Sequence, residues 1–280
     1  MAFSEYSMHR IRSERAMSAE LMASVRRFPV EKGTAVLWWL GQNGFLFRSP
    51  RGLTLSVDAY LTNSVQALHG DRLGLDLNRR VPVFIEPEEL DVDYFLCTHS
   101  HDDHADPEAI PRLRQERVTL FGGPGLTCDK YRRLGVEPSK VGQLYAGGRL
   151  EAGDVTVEGM FALPTDDTDL DHLGFFITFE NGPRIYMTGD TDYSRLLEHA
   201  ARLEPDVMIS CINGGFNNLS HWEAAELARA IRPKVALPCH YDMFADNGVD
   251  PLQFRASLRV VAPSVRYEQP EHARPFVLEP

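Results

Sequence analysis

Thr98-His99-Ser100-His101-Asp102-Asp103-His104 gathers three histidines and two carboxylates behind the apolar run Asp93-Tyr94-Phe95-Leu96-Cys97 and ahead of Asp106-Pro107-Glu108. The run reads as a buried strand. Asp106 can cap a helix that begins at Pro107 and runs to about Arg114, so the cluster falls on a tight strand-to-helix connection. In an extended chain His99 and His101 share one side, and the turn that follows brings Asp103 and His104 back towards them. Imidazole and carboxylate together suit zinc, manganese or iron. A polar loop that merely happens to be rich in histidine accounts poorly for a His-x-His-x-Asp-His spacing.

Around this stretch lies a chain of 280 residues, 43% hydrophobic and 25% charged, the composition of an ordinary folded protein. Layered α/β folds of this length commonly form one domain, so a single domain over 1–280 is expected. Its apolar runs are too short to cross a bilayer, and Met1 to Arg15 is too polar for a secretory signal, which predicts a cytoplasmic protein. A formal charge of −11, offset only by short pairs such as Arg26-Arg27 and Arg132-Arg133, opposes nucleic acid as a partner. Neither nucleic acid nor membrane is expected; a small-molecule substrate is, with a homo-oligomer allowed. Cys97, Cys128, Cys211 and Cys239 lack C-x-x-C spacing and read as buried free thiols.

Met17, Leu21, Val25 and Phe28 recur at helical spacing, which predicts an amphipathic helix over about 13–28 packed on the body. Strands follow at Ala35 to Leu40, Gly44 to Phe47 and Leu53 to Val57, a meander ending at Asp58. Asp58 reads more readily as a turn former than as a partner of a metal-bound histidine. Leu61 to Pro87 has no clean period and reads as a long irregular loop, a candidate wall for a pocket. A strand at Thr119 to Phe121 and a helix over Leu126 to Leu134 repeat the strand-then-helix pattern. Gly122-Gly123-Pro124-Gly125 is no phosphate-binding loop, since no Gly-Lys-Ser/Thr follows. Strands return at Val155 to Phe161, Leu173 to Phe179 and Arg184 to Met187, the last two joined by the hairpin signal Asn181-Gly182. A helix over Tyr193 to Ala201 leads to a strand at Val207 to Ile212. Ser220 and Glu223 form a capping box for a helix to Ile231; a strand at Val235 to Leu237 and a helix over Pro251 to Val261 close the pattern.

Two further strand ends carry metal-type residues, Asp190 after Ile185-Tyr186-Met187 and His240 after Val235-Ala236-Leu237. Sites in layered α/β proteins collect at strand ends, so these should converge with His99, His101, Asp103 and His104. That set is enough for two divalent ions with Asp190 able to bridge them, and paired ions about 3.5–4 Å apart support hydrolysis by a bridging hydroxide. Asp103 and Asp190 are the candidate catalytic carboxylates.

The pattern resembles the metallo-β-lactamase superfamily: His99-Ser100-His101-Asp102-Asp103-His104 matches its H-x-H-x-D-H signature, and Thr188-Gly189-Asp190 and Cys239-His240 match its later motifs. Within it the chain looks most like the L-ascorbate-6-phosphate lactonase-like branch, through Trp38-Trp39-Leu40-Gly41, Val57-Asp58, Gly189-Asp190 with Tyr193-Ser194, and Pro238-Cys239-His240-Tyr241-Asp242. It departs from that branch in being shorter and in carrying Asp192 where a histidine stands. The resemblance implies a four-layer αββα sandwich of the α/β (α+β) class with a dinuclear site at the rim between two mixed sheets. It also implies that His99 and His101 bind the first ion, Asp103, His104 and His240 the second, and Asp190 both, with Zn2+ or Mn2+ as the cofactor and iron not excluded. Most members supply a third histidine to the first ion; here His172 is the candidate, with Asp166 or Asp167 as its substitute.

The activity this implies is metal-dependent hydrolysis of a small polar substrate, a lactonase acting on a sugar-acid or phosphorylated sugar lactone. The alternatives are a phosphodiesterase acting on a small cyclic or lipid phosphodiester, and a non-catalytic metal-binding protein. Long basic loops for nucleic acid are absent, and a purely structural metal site is ordinarily closed by four ligands. Asn43, His69, Asn217, His221 and Tyr241 stand at element ends that could face the site, His221 reading better as exposed. His9, His199 and His272 read as surface residues, and Trp38 and Trp39 as core.

Overall fold

A computed structural model of the chain describes residues 17–280, so His9 and the first residues of the expected N-terminal helix lie outside the described residues. Two seven-stranded sheets make up the centre. The first contains β1 (Ala35–Gly41), β2 (Gly44–Arg48), β3 (Thr54–Val57), β4 (Tyr94–Leu96), β5 (Leu120–Gly123) and β6 (Val141–Gln143). The second contains β7 (Arg149–Ala152), β8 (Val155–Phe161), β9 (Leu173–Phe179), β10 (Arg184–Met187), β11 (Val207–Cys211), β12 (Val235–Cys239) and β13 (Arg266–Tyr267). β14 (Phe276–Leu278) returns to pair with β1 at the edge of the first sheet. Each sheet is antiparallel in one half and parallel in the other: β3 to β6 run parallel in the first, and β10 to β13 in the second. The expected αββα sandwich of two mixed sheets is what the chain forms.

β1 explains why the sheets stack. All seven of its residues are buried, because alternate side chains serve opposite faces. Ala35, Leu37 and Trp39 join Phe45, Phe47, Val157, Phe175, Ile177 and Ile185 between the sheets. Val36, Trp38 and Leu40 face the other way, where α1, a helix over 17–27, contributes Met22 and Val25. Both tryptophans are core, as expected. Met17, expected on the buried face of α1, is 70% exposed, and Met22 takes its place. α2 (Gly125–Arg133) also covers the first sheet; α3 (His221–Ile231) and α4 (Leu252–Val261) cover the second through Ala224, Leu227, Phe254 and Leu258.

Three expectations need correction. The helix expected from Pro107 to Arg114 is only turns and a 3-10 helix at Ile110–Arg112, because Pro111 in its interior has no N–H and its ring crowds the preceding turn. Asp106 still caps that start, accepting from the N–H of Glu108 at 3.0 Å and of Ala109 at 3.2 Å. The segment expected to be helical from Tyr193 to Ala201 is a 3-10 helix at Arg195–Leu203 capped by Ser194. The irregular loop after β3 contains a helical segment over 64–73. The short strands β6, β7, β13 and β14 carried no readable alternation, being edge or near-edge strands of two to four residues.

Candidate metal centre

Strand direction brings the chemistry to one rim. β4, β10 and β12 end there, and β9, antiparallel to β10, begins there, which delivers His99, Asp190, His240 and His172 to one place. Gly189 lets β10 end close to β9: its φ is +63°, and a Cβ would lie 2.6 Å from the Leu173 carbonyl oxygen. Three sets of side chains converge with their ligand atoms within 4.8 Å of one another: His99, His101 and His172; His99, His104 and Asp190; and Asp103, His104 and His240. All seven residues singled out from the sequence are therefore at one rim.

The surroundings orient them. His172 Nδ1 lies 3.0 Å from the Asp190 carbonyl oxygen, while its buried Nε2 has no hydrogen-bond partner among the described residues. An N–H given to a carbonyl leaves the other ring nitrogen with its lone pair, the form that binds a cation. Asp166 and Asp167 lie outside the three converging sets. Asp166 Oδ2 is 3.4 Å from the outward Nε2 of His101, and Asp167 is exposed. Asp190 Oδ2 accepts from Asn218 Nδ2 at 2.8 Å and lies 3.0 Å from His240 Nε2, whereas its buried Oδ1 makes no hydrogen bond among the described residues and lies 3.5 Å from His104 Nε2. Asp103 Oδ2 accepts from Gln42 Nε2 at 2.6 Å.

Asp58, expected as a turn residue, directly follows β3 with a φ of +48°. Its carboxylate nevertheless supports the cluster. It accepts from Thr98 N–H and Thr98 Oγ1, each at 2.7 Å, and from Asn43 Nδ2 at 2.6 Å, and it lies 3.0 Å from His104 Nδ1. Asp102, which with Ser100 fills the unspecified positions of the motif, accepts from Lys130 Nζ at 2.5 Å and pairs with His69 Nε2 at 2.7 Å. Asp169 fixes the facing loop by accepting from Ser100 N–H at 2.8 Å and Oγ at 2.5 Å.

Charges in this buried cluster divide it in two. Burial, followed by the neighbouring His104, His172 and His101, holds His99 well below the ordinary histidine value, so it is a neutral imidazole. Burial acts the same way on His104 and His240, but Asp190 and Asp103 outweigh it, raising His240 to about 9 and His104 well above its usual value. Burial would raise Asp190 and Asp103; the histidines hold both below the usual carboxylate range. A divalent cation placed among such carboxylates would take over the charge those protons carry and release them.

Other candidates fall elsewhere. His69 lines the cavity above the cluster, together with Val65, Leu73 and Leu77, so the stretch after β3 is the pocket wall expected of it. His221 Nδ1 is 2.8 Å from Ser257 Oγ between α3 and α4, and Tyr241 packs on Trp39 with its hydroxyl accepting from Gln269. Asn43 supports Asp58, and Asn217 donates to the Thr165 carbonyl oxygen at 2.7 Å. Asp192 accepts from its neighbour's N–H, Tyr193, at 2.6 Å. His199 is exposed as expected, but His272 is half-buried, stacked 4.1 Å from Trp39 and bonded to Asp242. The four cysteines are buried and free, and burial pushes every thiol up. Sequence reading missed Gln42, Asn218, Lys130 and Asp169. Gln42 and Asn218 stand beside residues it did name, Asn43 and Asn217.

A family model described as a Beta-lactamase superfamily domain matches residues 36–240. A UPF0173 metal-dependent hydrolase of Anaeromyxobacter sp. (strain K) is 30% identical over 244 residues, covering 81% of this chain and 82% of that protein. Among solved structures, Igni18, a metallo hydrolase from the archaeon Ignicoccus hospitalis, has a TM-score of 0.69 at 19% identity, covering 88% of this chain and 99% of its own. The metallo-beta-lactamase fold protein YhfI from Bacillus subtilis gives 0.64 at 17% identity, covering 89% of this chain and 100% of its own. The last two are likenesses of fold.

Proposed function

The chain belongs to the beta-lactamase superfamily as a metal-dependent hydrolase, and from that premise we propose that its rim holds two divalent cations and cleaves a lactone or related carboxylic ester. In this reading His99, His101 and His172 face one cation, Asp103, His104 and His240 the other, and Asp190 both. Zinc or manganese suits the donors, and iron is acceptable to them. The observation that carries the reading is the convergence of seven ligand side chains in three sets with their ligand atoms within 4.8 Å of one another, among them the buried His172 Nε2, which has no hydrogen-bond partner among the described residues. Burying that nitrogen unsatisfied costs about 1–3 kcal/mol, so the convergence fits a cation better than a packed polar core.

Bound cations would polarise the substrate carbonyl and lower the pKa of water towards about 7. The chain supplies placement and proton handling. Asn218 fixes Asp190, and Gln42 fixes Asp103, so neither carboxylate is free to swing. Asp103 also lines the cavity, and in this reading it receives the proton given up by the attacking water. Attack forms a carbon–oxygen bond at the acyl carbon, the acyl–alkoxide bond breaks, and the proton passes to the departing alkoxide. Lactone opening, the chemistry of the L-ascorbate-6-phosphate lactonase-like branch, is this same step within a ring. We take the chain as a single domain acting on a small molecule in the cytoplasm. No helix among the described residues is long and apolar enough to cross a membrane.

Metal analysis of protein purified without chelator tests this directly. Close to two equivalents is expected, and zero with no uptake from added zinc or manganese would overturn the reading. His172→Ala should weaken one cation about a hundredfold or more, since losing even an outer partner of a ligand costs about 10–100-fold. Unaltered affinity in that variant, with a loss in Asp166→Ala, would move the ligand role to the carboxylate.

A further inference from the structure

The cavity over the cluster, about 520 Å³ and within the usual range for small-molecule sites, has two unlike parts. Its floor is polar, with His101, Asp103, Asp190 and His240. Apolar side chains share the rest of the lining with polar groups such as Arg72, Asp102 and Asp166: Leu73 and Leu77 come from the segment after β3, Phe216 from the loop after β11, and Phe244 from the loop after β12. Leu73 is 50% and Phe216 52% exposed, so packing of the fold does not account for them. Phe216 has a φ of +53° and Asn217 one of +58°, two consecutive residues with side chains in the left-handed region. Such backbone persists only where its surroundings impose it, and it concentrates at functional loops. Here the ties are visible. Asn218 donates to Asp190 Oδ2 at 2.8 Å and accepts from Thr191 N–H at 3.1 Å, and Asn213 donates to Asn247 Oδ1 at 2.7 Å. The loop that carries Phe216 is thus bound to a carboxylate of the cluster itself.

Charge points the same way. Among the described lining residues Arg72 is the one lysine or arginine, and its guanidinium lies 3.3 Å from His69 Nδ1. Four aspartates line the same space: Asp102, Asp103, Asp166 and Asp190. A phosphate carried at the far end of a sugar lactone would find a single arginine, Arg72, against four aspartates and the apolar side chains. We propose that the cavity takes a lactone or ester bearing an unbranched apolar chain of several carbons, seated against Leu73, Leu77, Phe216 and Phe244. This rests on the hydrolase reading above and gives the substrate class it leaves open.

The test uses metal-loaded protein with 4-nitrophenyl acetate, butanoate, hexanoate and octanoate, with γ-lactones of matched chain length, and with a sugar lactone and its phosphate. kcat/KM should rise about three- to fourfold per methylene that enters the cavity. Phe216→Ser and Leu73→Ser should flatten that rise, whereas Val260→Ser, an exposed apolar position on α4, should keep the wild-type slope. A flat wild-type series, or a preference for the phosphorylated sugar lactone, overturns the proposal. Calorimetric titration with hexanoate and octanoate separates it from the reading beneath. A chain-length dependence of Kd that Phe216→Ser removes supports the apolar seat even if no ester or lactone is cleaved, in which case the reading as an esterase or lactonase falls. No such dependence overturns the seat even where esters are turned over.

Discussion

Asp190→Asn is expected to lower kcat/KM of the metal-loaded protein by about a thousandfold or more while leaving the fold in place. The asparagine keeps the volume and can still accept from Asn218, whose amide is 2.8 Å from Oδ2, so the loop after β11 stays anchored. What disappears is the negative charge that lies 3.0 Å from His240 and 3.5 Å from His104 and completes the set with His99. In the proposed reading this carboxylate is the one shared by both cations, so its loss should affect both. Metal content and turnover should be measured together. Turnover within tenfold of wild type at full metal loading would remove Asp190 from the mechanism, and a loss of turnover accompanied by unfolding would be seen in circular dichroism.

How far the sequence could be read depended on whether a residue's task was local. The bounds of β8, β9 and β10 and the capping box of α3 followed from alternation and from Ser220 with Glu223, because those signals act over a few residues. His99, His101, Asp103 and His104 were legible for the same reason, being held by one turn. Gln42 was not: it is a turn residue with a φ of +54° whose amide meets Asp103 only because β1 and β4 belong to one sheet. The apolar part of the cavity was equally hidden, since Leu73, Phe216 and Phe244 come from three separate segments and no periodicity links them. Pro111 shows the converse error, where a sound cap at Asp106 promised a helix that a later residue forbids.

Asp58 is the residue whose reading changed most, and its substitution carries the second large effect. Parallel pairing of Val57 with Leu96 sets Asp58 beside Thr98, the residue immediately before the first histidine. Its buried carboxylate then accepts from Thr98 twice and from Asn43 once, and lies 3.0 Å from His104 Nδ1. Asp58→Ala would leave those donors buried with nothing to receive them, which should destabilise the metal-free protein by about 3–5 kcal/mol. Asp58→Asn keeps the shape and tolerates the left-handed backbone, but it turns an NH2 group towards other donors, so a smaller loss of about 1–3 kcal/mol is expected. Both variants should also weaken cation binding about 10–100-fold, because His104 loses the group that fixes its ring. Urea unfolding in excess chelator reports on the polar network alone, while competition with a fluorescent chelator reports on the ligand that network holds. If Asp58→Ala matched wild type in both, the carboxylate would be the turn residue that its place after β3 first suggested.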